Sequence, residues 1–266
     1  MSVISDILKD SRKIVIKIGS NVLSNDEGTV NKDVVGSIAS QVQALIDSGK
    51  QVVIVSSGAG ICGVGALQKW HRRKDVNYKQ ALCAIGQVEL MMGYKEFFGN
   101  YGTHVAQILL TNEDFANSER TLHIRNTLFT LIDEGVVPII NENDTVAVDE
   151  LVIGDNDTLS AMTANLWGAD ALVLLSDIDG VFDSDPKTHP DAKLVEEVPD
   201  IDGLLSGIDT HGTSSFGTGG IATKINAARL ALEMHIPTIL LNGKKEEVLR
   251  KALEGTATGT VFTVTD

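Results

Sequence analysis

The chain has 266 residues, 43% of them hydrophobic and 22% charged, which is enough for one large core or two tightly joined lobes and far from a disordered composition. Thirty-six acidic residues against 22 basic ones leave a net charge of −14, a field that repels nucleic-acid phosphates and anionic membranes and argues against both as partners. No apolar stretch reaches the roughly 20 residues a membrane helix needs, and the first apolar run carries Lys17 inside it, which no signal-peptide core tolerates, so a soluble, cytoplasmic protein is expected.

Ile14-Val15-Ile16-Lys17-Ile18 reads as a first strand. Val34, Val35, Ile38, Val42, Leu45 and Ile46 then recur at helical spacing, and Gly49 supplies the stop. Val52 to Val55 is the second strand, followed by a long helix over about 77–101. His104 to Leu110 is the third strand and Ser118 to Glu134 a helix; Val136 to Ile140 is the fourth strand and Thr158 to Trp167 a helix. Ala171 to Leu175 is the fifth strand, and Thr238 to Leu241 a sixth, reached through a helix over 219–234. Strands this continuously apolar, separated by helices, predict an α/β fold with a mostly parallel sheet covered on both faces. The Asp- and Pro-rich segment from Val181 to Asp202 reads as a surface excursion or short hairpin. Cys62 and Cys83, both among small or apolar neighbours, are expected as two buried free thiols.

Parallel sheets bind ligands at the carboxyl ends of their strands, so the residues after each apolar run matter most. Lys17-Ile18-Gly19-Ser20-Asn21 closes the first strand, and a lysine followed by Gly and Ser can place an ammonium and backbone N–H groups around a phosphate; an ordinary surface lysine before a turn is the plain alternative. The second strand ends in Ser57-Gly58-Ala59-Gly60-Ile61-Cys62-Gly63, which matches G-x-G-x-x-G. The acidic residue that should close the next strand about 20 positions on is missing, and the motif opens the second strand–helix unit rather than the first. A dinucleotide-dependent oxidoreductase is therefore set aside, and the glycines read as an anion-binding turn.

The fourth strand runs into Asn141-Glu142-Asn143-Asp144, and Gly154-Asp155-Asn156-Asp157-Thr158 follows. Polar groups this dense would be costly to bury unpaired and are expected to line an open site. Their carboxylates suit a substrate ammonium, a Mg²⁺ or a lysine that must be held; a helix-capping role for Asp157 is compatible with any of these. Ser176-Asp177-Ile178-Asp179-Gly180, after the fifth strand, lacks the spacing of a calcium loop. Last, Gly217-Thr218-Gly219-Gly220-Ile221-Ala222-Thr223-Lys224 precedes a helix, where glycines allow close backbone approach and the helix start offers free N–H groups to a phosphate. It is not a P-loop, because G-x-x-x-x-G-K-[ST] is absent.

Taken together, these landmarks resemble the amino-acid kinase family, from about Arg12 to about Phe262, and Asn141 to Asp144 with Gly154 to Ser160 resemble its glutamate-phosphorylating branch. The resemblance implies a single three-layer αβα sandwich over 1–266, with an acceptor-binding part over about 1–165 and a nucleotide-binding part over about 166–266. It implies ATP-dependent phosphorylation of the side-chain carboxylate of L-glutamate, the first step of proline biosynthesis. Kinases of the same fold for N-acetylglutamate, aspartate or carbamate are the alternative, and a non-catalytic nucleotide-binding protein is a third. By the same resemblance Ser57, Asp144 and Asn156 bind glutamate with Gly58 and Asn141 close by. Lys17, Ser176, Asp177, Thr218, Gly219, Gly220, Ile221, Ala222, Thr223 and Lys224 bind ATP. Lys17 and Lys224 flank the phosphoryl group, Asp157 holds both lysines, and Mg²⁺ arrives on the nucleotide rather than in a metal site of the protein's own. Asp144 is the expected partner of the glutamate α-ammonium. A carboxylate acceptor is already ionised at neutral pH and needs no general base, in keeping with six histidines that lie outside the acidic clusters. The family also implies a homo-oligomer, dimer or tetramer, and feedback by L-proline. Many bacterial members carry a further C-terminal PUA domain, resembling RNA-modification modules, that this sequence does not show before Asp266.

Overall fold

The computed structural model describes residues 2–25, 29–68, 75–147, 156–186, 188–207 and 220–263. In it the apolar runs become β1 (Lys13–Ile18), β2 (Gln51–Ser56), β3 (Val105–Leu110), β4 (Val137–Glu142) and β5 (Ala171–Ser176). Short strands β6 (Val181–Phe182), β7 (Leu194–Val195) and β8 (Glu197–Val198) follow, then β9 (Thr238–Asn242) and β10 (Gly259–Phe262). Eight of these form one sheet in the order β3-β4-β2-β1-β5-β9-β10-β8, while β6 and β7 pair separately as the hairpin expected in the acidic segment. Neighbours are parallel from β3 through β9, and β10 alone runs antiparallel to β9. The sheet is thus the mostly parallel one predicted, with β10 and β8 added at an edge that the apolar pattern did not announce.

Continuous apolar strands hide a period of two. Ile14, Ile16 and Ile18 of β1 join one core with Val52, Ile54, Val173 and Leu175, whereas Val15 joins the opposite core with Val53, Val55, Leu172 and Leu174. Successive side chains on a strand point to opposite faces, so both faces need apolar residues and both need helices. The first face is covered by α1 (Val3–Asp10), α3 (Lys32–Asp47), α5 (Val76–Gly99) and α11 (Val248–Glu254). The second is covered by α7 (Ser118–Asp133), α8 (Asn156–Trp167) and α10 (Ile221–Leu232). Shorter helices α2 (Ser20–Leu23), α4 (Ala59–Leu67), α6 (Asn112–Ala116) and α9 (Ile201–Gly207) fill the connections. No helix among the described residues is long and apolar enough to cross a membrane.

Helix starts fall into two kinds. Ser2, Asn31, Asp75 and Asn117 cap α1, α3, α5 and α7 with their side chains, satisfying N–H groups that a helix leaves unpaired. By contrast α2, α4 and α10 begin on Gly19, Gly58 and Gly220 and have no side-chain cap. Their first N–H groups remain available to a ligand. Gly58 sits at φ +110°, where a side chain would be strained.

The other glycines of the G-x-G-x-x-G stretch have a different reason. A Cβ on Gly63 would stand 1.9 Å from the Leu82 carbonyl oxygen, and one on Gly86 would stand 1.8 Å from that of Ala59. Gly63 therefore lets α4 and α5 cross backbone to backbone, and only Gly58 serves the turn itself.

Candidate active site

β1 and β5 lie side by side at the centre, with the chain running outward from β1 in one direction and from β5 in the other. This is the switch point at which open parallel sheets place their ligands. Lys17 projects from β1 into the crevice, where its register partners are Val55 and Leu174. Asp157 comes from the first turn of α8 and Lys224 from the first turns of α10. Lys17 Nζ lies 2.5 Å from Asp157 Oδ1, and Lys224 Nζ lies 3.1 Å from Asp157 Oδ2. The Thr223 hydroxyl donates to the same Oδ2 at 2.8 Å.

All three charged residues are buried, Lys17 at 6% exposure, Lys224 at 5% and Asp157 at 1%. Burial alone would push the Asp157 carboxyl up, but the two ammoniums and the hydrogen bonds from Lys17 and Thr223 overcome it and hold the group at about 2. Two cations meet one anion in a place water barely reaches. The Gly19 backbone passes close by, where a Cβ would meet the Leu175 carbonyl oxygen at 3.3 Å and Lys17 Nζ at 3.7 Å.

A second, uncharged group of side chains adjoins it. Asn156 Nδ2 donates to Ser57 Oγ at 3.0 Å and to Asn141 Oδ1 at 2.9 Å. Asn141 Nδ2 donates to Gln87 Oε1 at 2.8 Å, and Gln87 Nε2 donates to Gln107 Oε1 at 3.1 Å. The expectation that the polar groups from Asn141 onward line an open site is corrected here for Asn141 and Glu142. β4 continues through both, and they are buried at 2% and 9% exposure; the Asn141 amide is tied at both ends, its Nδ2 to Gln87 and its Oδ1 to the Glu142 N–H and Asn156. Beneath this group Ser56 Oγ meets the Tyr94 hydroxyl at 2.8 Å, a wholly buried pair that fixes the end of β2.

Asp144 lies beyond β4 against α5. Burial raises its carboxyl above the ordinary value, partly opposed by a hydrogen bond from the Cys83 thiol and by the charge of Lys79. Cys83 and Cys62 are free and buried as expected, and burial pushes both thiols up to about 12, with Asp144 adding to the effect at Cys83. Neither is a ready nucleophile.

Ser176 ends β5 at 3% exposure and lies 3.3 Å from Asp177 Oδ1, while Asn21 Nδ2 reaches Asp177 Oδ2 at 2.9 Å. The start of α10 at Gly220, Ile221 and Ala222 has no side-chain cap. Thr218 and Gly219 of the glycine loop, and Gly154 and Asp155 of the acidic one, lie outside the described residues. No three His, Cys, Asp or Glu side chains among the described residues converge to hold a metal ion.

The structure thus brings Lys17, Asp157, Thr223 and Lys224 into one cluster and Ser57, Asn141 and Asn156 into another, with Asp144 on the α5 side. Sequence reasoning missed Gln87, Gln107 and Tyr94, and it assigned Thr223 to the nucleotide although its hydroxyl rests on Asp157. A glutamine or tyrosine within a long helix gives no local sign that its side chain is buried. The one signal available was Gln107, a polar residue inside an otherwise apolar strand.

Comparison with known proteins places this arrangement. The profile of the amino acid kinase family matches residues 12–242. The glutamate 5-kinase of Alkaliphilus metalliredigens (strain QYMF) is 60% identical over 259 residues, covering 97% of this chain and 98% of that protein. The glutamate 5-kinase of Geobacter metallireducens is 48% identical over 256 residues, covering 96% of this chain and 69% of that longer protein. Among solved structures, a carbamate kinase from Giardia lamblia bound to AMP-PNP superposes with a TM-score of 0.69 at 16% identity, over 96% of this chain and 99% of its own. A UMP kinase from Bacillus anthracis gives 0.65 at 18% identity, over 96% and 97%. At these identities the two structures bear on the fold alone.

Proposed function

The chain belongs to the amino acid kinase family, and from that premise we propose that it transfers the γ-phosphoryl group of ATP to the side-chain carboxylate of L-glutamate, yielding L-glutamyl 5-phosphate and ADP as the first step toward proline. The observation that carries the reading is the buried Lys17–Asp157–Lys224 cluster, whose two ammoniums, held in place by one carboxylate, suit a phosphoryl group in flight. A glutamate carboxylate oxygen attacks the γ-phosphorus as the bond to the β–γ bridging oxygen breaks. The electrons of that bond leave on ADP. No proton has to move, so the protein's contribution is to align the two substrates and neutralise charge on the transferred oxygens.

In this reading the part over about 1–165 supplies Lys17 and Asp157 and the part over about 166–266 supplies Lys224, so the cluster joins acceptor and nucleotide sides. Ser176, Asp177 and the start of α10, with Thr218 and Gly219 in the preceding loop, take the nucleotide. Mg²⁺ would come with the nucleotide rather than on a site of the protein's own, and would supply further positive charge. Ser57, with Gly58 in its turn, and Asn156 and Asp144 take the amino acid, Asp144 pairing with its α-ammonium. L-Proline, also bearing an ammonium and a carboxylate, would compete for these groups. Self-association fits the exposed Ile85, Val88 and Met92, which share one face of α5.

ADP release measured in parallel with glutamate, N-acetylglutamate, aspartate and carbamate tests the proposal. Glutamate is expected to give the highest kcat/KM. No ADP above the blank with glutamate, or a higher kcat/KM with one of the other three, would overturn it.

A further inference from the structure

The amide groups beside Asn156 form a chain with a direction. It is set by the backbone N–H of Glu142, which donates to Asn141 Oδ1 at 2.8 Å. A backbone N–H can only donate, so this bond decides which end of the Asn141 amide is oxygen. Asn141 Nδ2 must then face Gln87 Oε1, and Gln87 Nε2 must face Gln107 Oε1. On the other side Asn141 Oδ1 receives one hydrogen of Asn156 Nδ2, whose second hydrogen goes to Ser57 Oγ. Two consequences follow at the open end. Asn156 Oδ1, a buried atom, is left with no hydrogen-bond partner among the described residues, and Ser57, accepting at its oxygen, keeps its O–H free to donate.

We propose that Gln87 is a positioning residue that accepts from Asn141 Nδ2 and so holds this chain in place, with Asn156 Oδ1 facing the substrate ammonium as an acceptor and the Ser57 hydroxyl facing its α-carboxylate as a donor. The inference rests on the acceptor being an amino acid with a free ammonium, as in the function proposed above. Gln87 sits on α5 at 8% exposure and acts through Asn141. Its Oε1 is the partner that Asn141 Nδ2 has in the described network, and Asn141 cannot turn over to find another without setting its NH₂ against the Glu142 N–H.

Gln87→Met and Gln87→Glu separate this role from ordinary packing. Methionine keeps the volume and removes the acceptor. Its KM for glutamate is expected to rise about tenfold, the size of one buried donor left unpaired, with KM for ATP unchanged. Glutamate at position 87 still accepts from Asn141, and the exposed Gln107 amide is free to turn and donate to it, so KM for the amino acid is expected to return to within about twofold of wild type. Should Gln87→Met not fold, Gln107→Leu at the exposed end decides: it frees Gln87 to turn over and is expected to raise KM for glutamate about threefold. Wild-type KM for glutamate in the decisive variant, equal shifts in both KM values, or no recovery with Gln87→Glu would overturn the proposal. Absence of glutamate-dependent ADP release by the wild-type enzyme would instead overturn the functional reading.

Discussion

The two halves of the site solve opposite problems. Around Asp157 three full charges sit almost out of water, and their arrangement is strong and tolerant of direction. Around Asn156 the groups are neutral amides and a hydroxyl, each weak, and all the information lies in which end is nitrogen and which is oxygen. A charge cluster accepts any anion of suitable size, whereas a polarised amide chain distinguishes an ammonium from a carboxylate. On the proposed function, the first half would serve rate and the second the choice of substrate.

Breaking the charged half should give the largest effects. Asp157→Asn keeps the shape and leaves two lysines buried without their anion, a loss on the order of 3–5 kcal/mol. Thermal unfolding should register it as a large drop in Tm, and turnover should fall below detection. Lys224→Met, which leaves Lys17 paired with Asp157, should cost about 10²–10³ in kcat with little change in KM for glutamate. If KM rises in step with the loss of kcat, the two halves are not separable in this way.

The next effect belongs to pH. Because burial raises the Asp144 carboxyl, its ionised form is lost earlier on acidification than that of an ordinary aspartate. An ammonium ligand needs the ionised form, so KM for glutamate should climb as pH falls through the raised value, while kcat holds. Asp144→Asn should raise KM and flatten that dependence, as initial rates across pH would show. Asp157 behaves in the contrary sense: its depressed value keeps the carboxylate charged, and the stability this gives, about 2 kcal/mol, is lost only as pH falls from about 4 toward about 2. The smallest effect should come from Tyr94→Phe, which removes one buried hydrogen bond to Ser56. About 1 kcal/mol and a Tm lower by about 2–4 °C are expected.

The same contrast governs what could be read in the sequence. Lysines at a strand end and after a glycine loop, and an aspartate at a helix start, stand out by type and place; the family resemblance tied Lys17, Asp157 and Lys224 together, and in the structure they meet. Strands β1 to β5 and β9 were equally plain, because a two-faced core demands unbroken apolar runs. Gln87 was invisible: helical spacing places it on α5 without saying that its face meets β4. β10 was missed because Gly259-Thr260-Val261-Phe262 is too short to stand out, and its place depends on β9 offering a free edge. The glycines after β2 read as a single turn, whereas G-x-G-x-x-G combines one turn glycine with one that answers to a neighbouring helix.

That helix crossing has a mechanical consequence. With the α4 backbone at Ala59 and Gly63 pressed on the α5 backbone at Leu82 and Gly86, no layer of side chains remains between them to act as a lubricant. Neither helix can tilt without carrying the other. The Ser57–Gly58 turn at the head of α4 and Gln87 beside the contact therefore travel as a single rigid lever, and any strain applied along α5 arrives at Ser57 undamped. Amide hydrogens on both sides of the crossing should exchange with deuterium at a common rate, opening together or not at all.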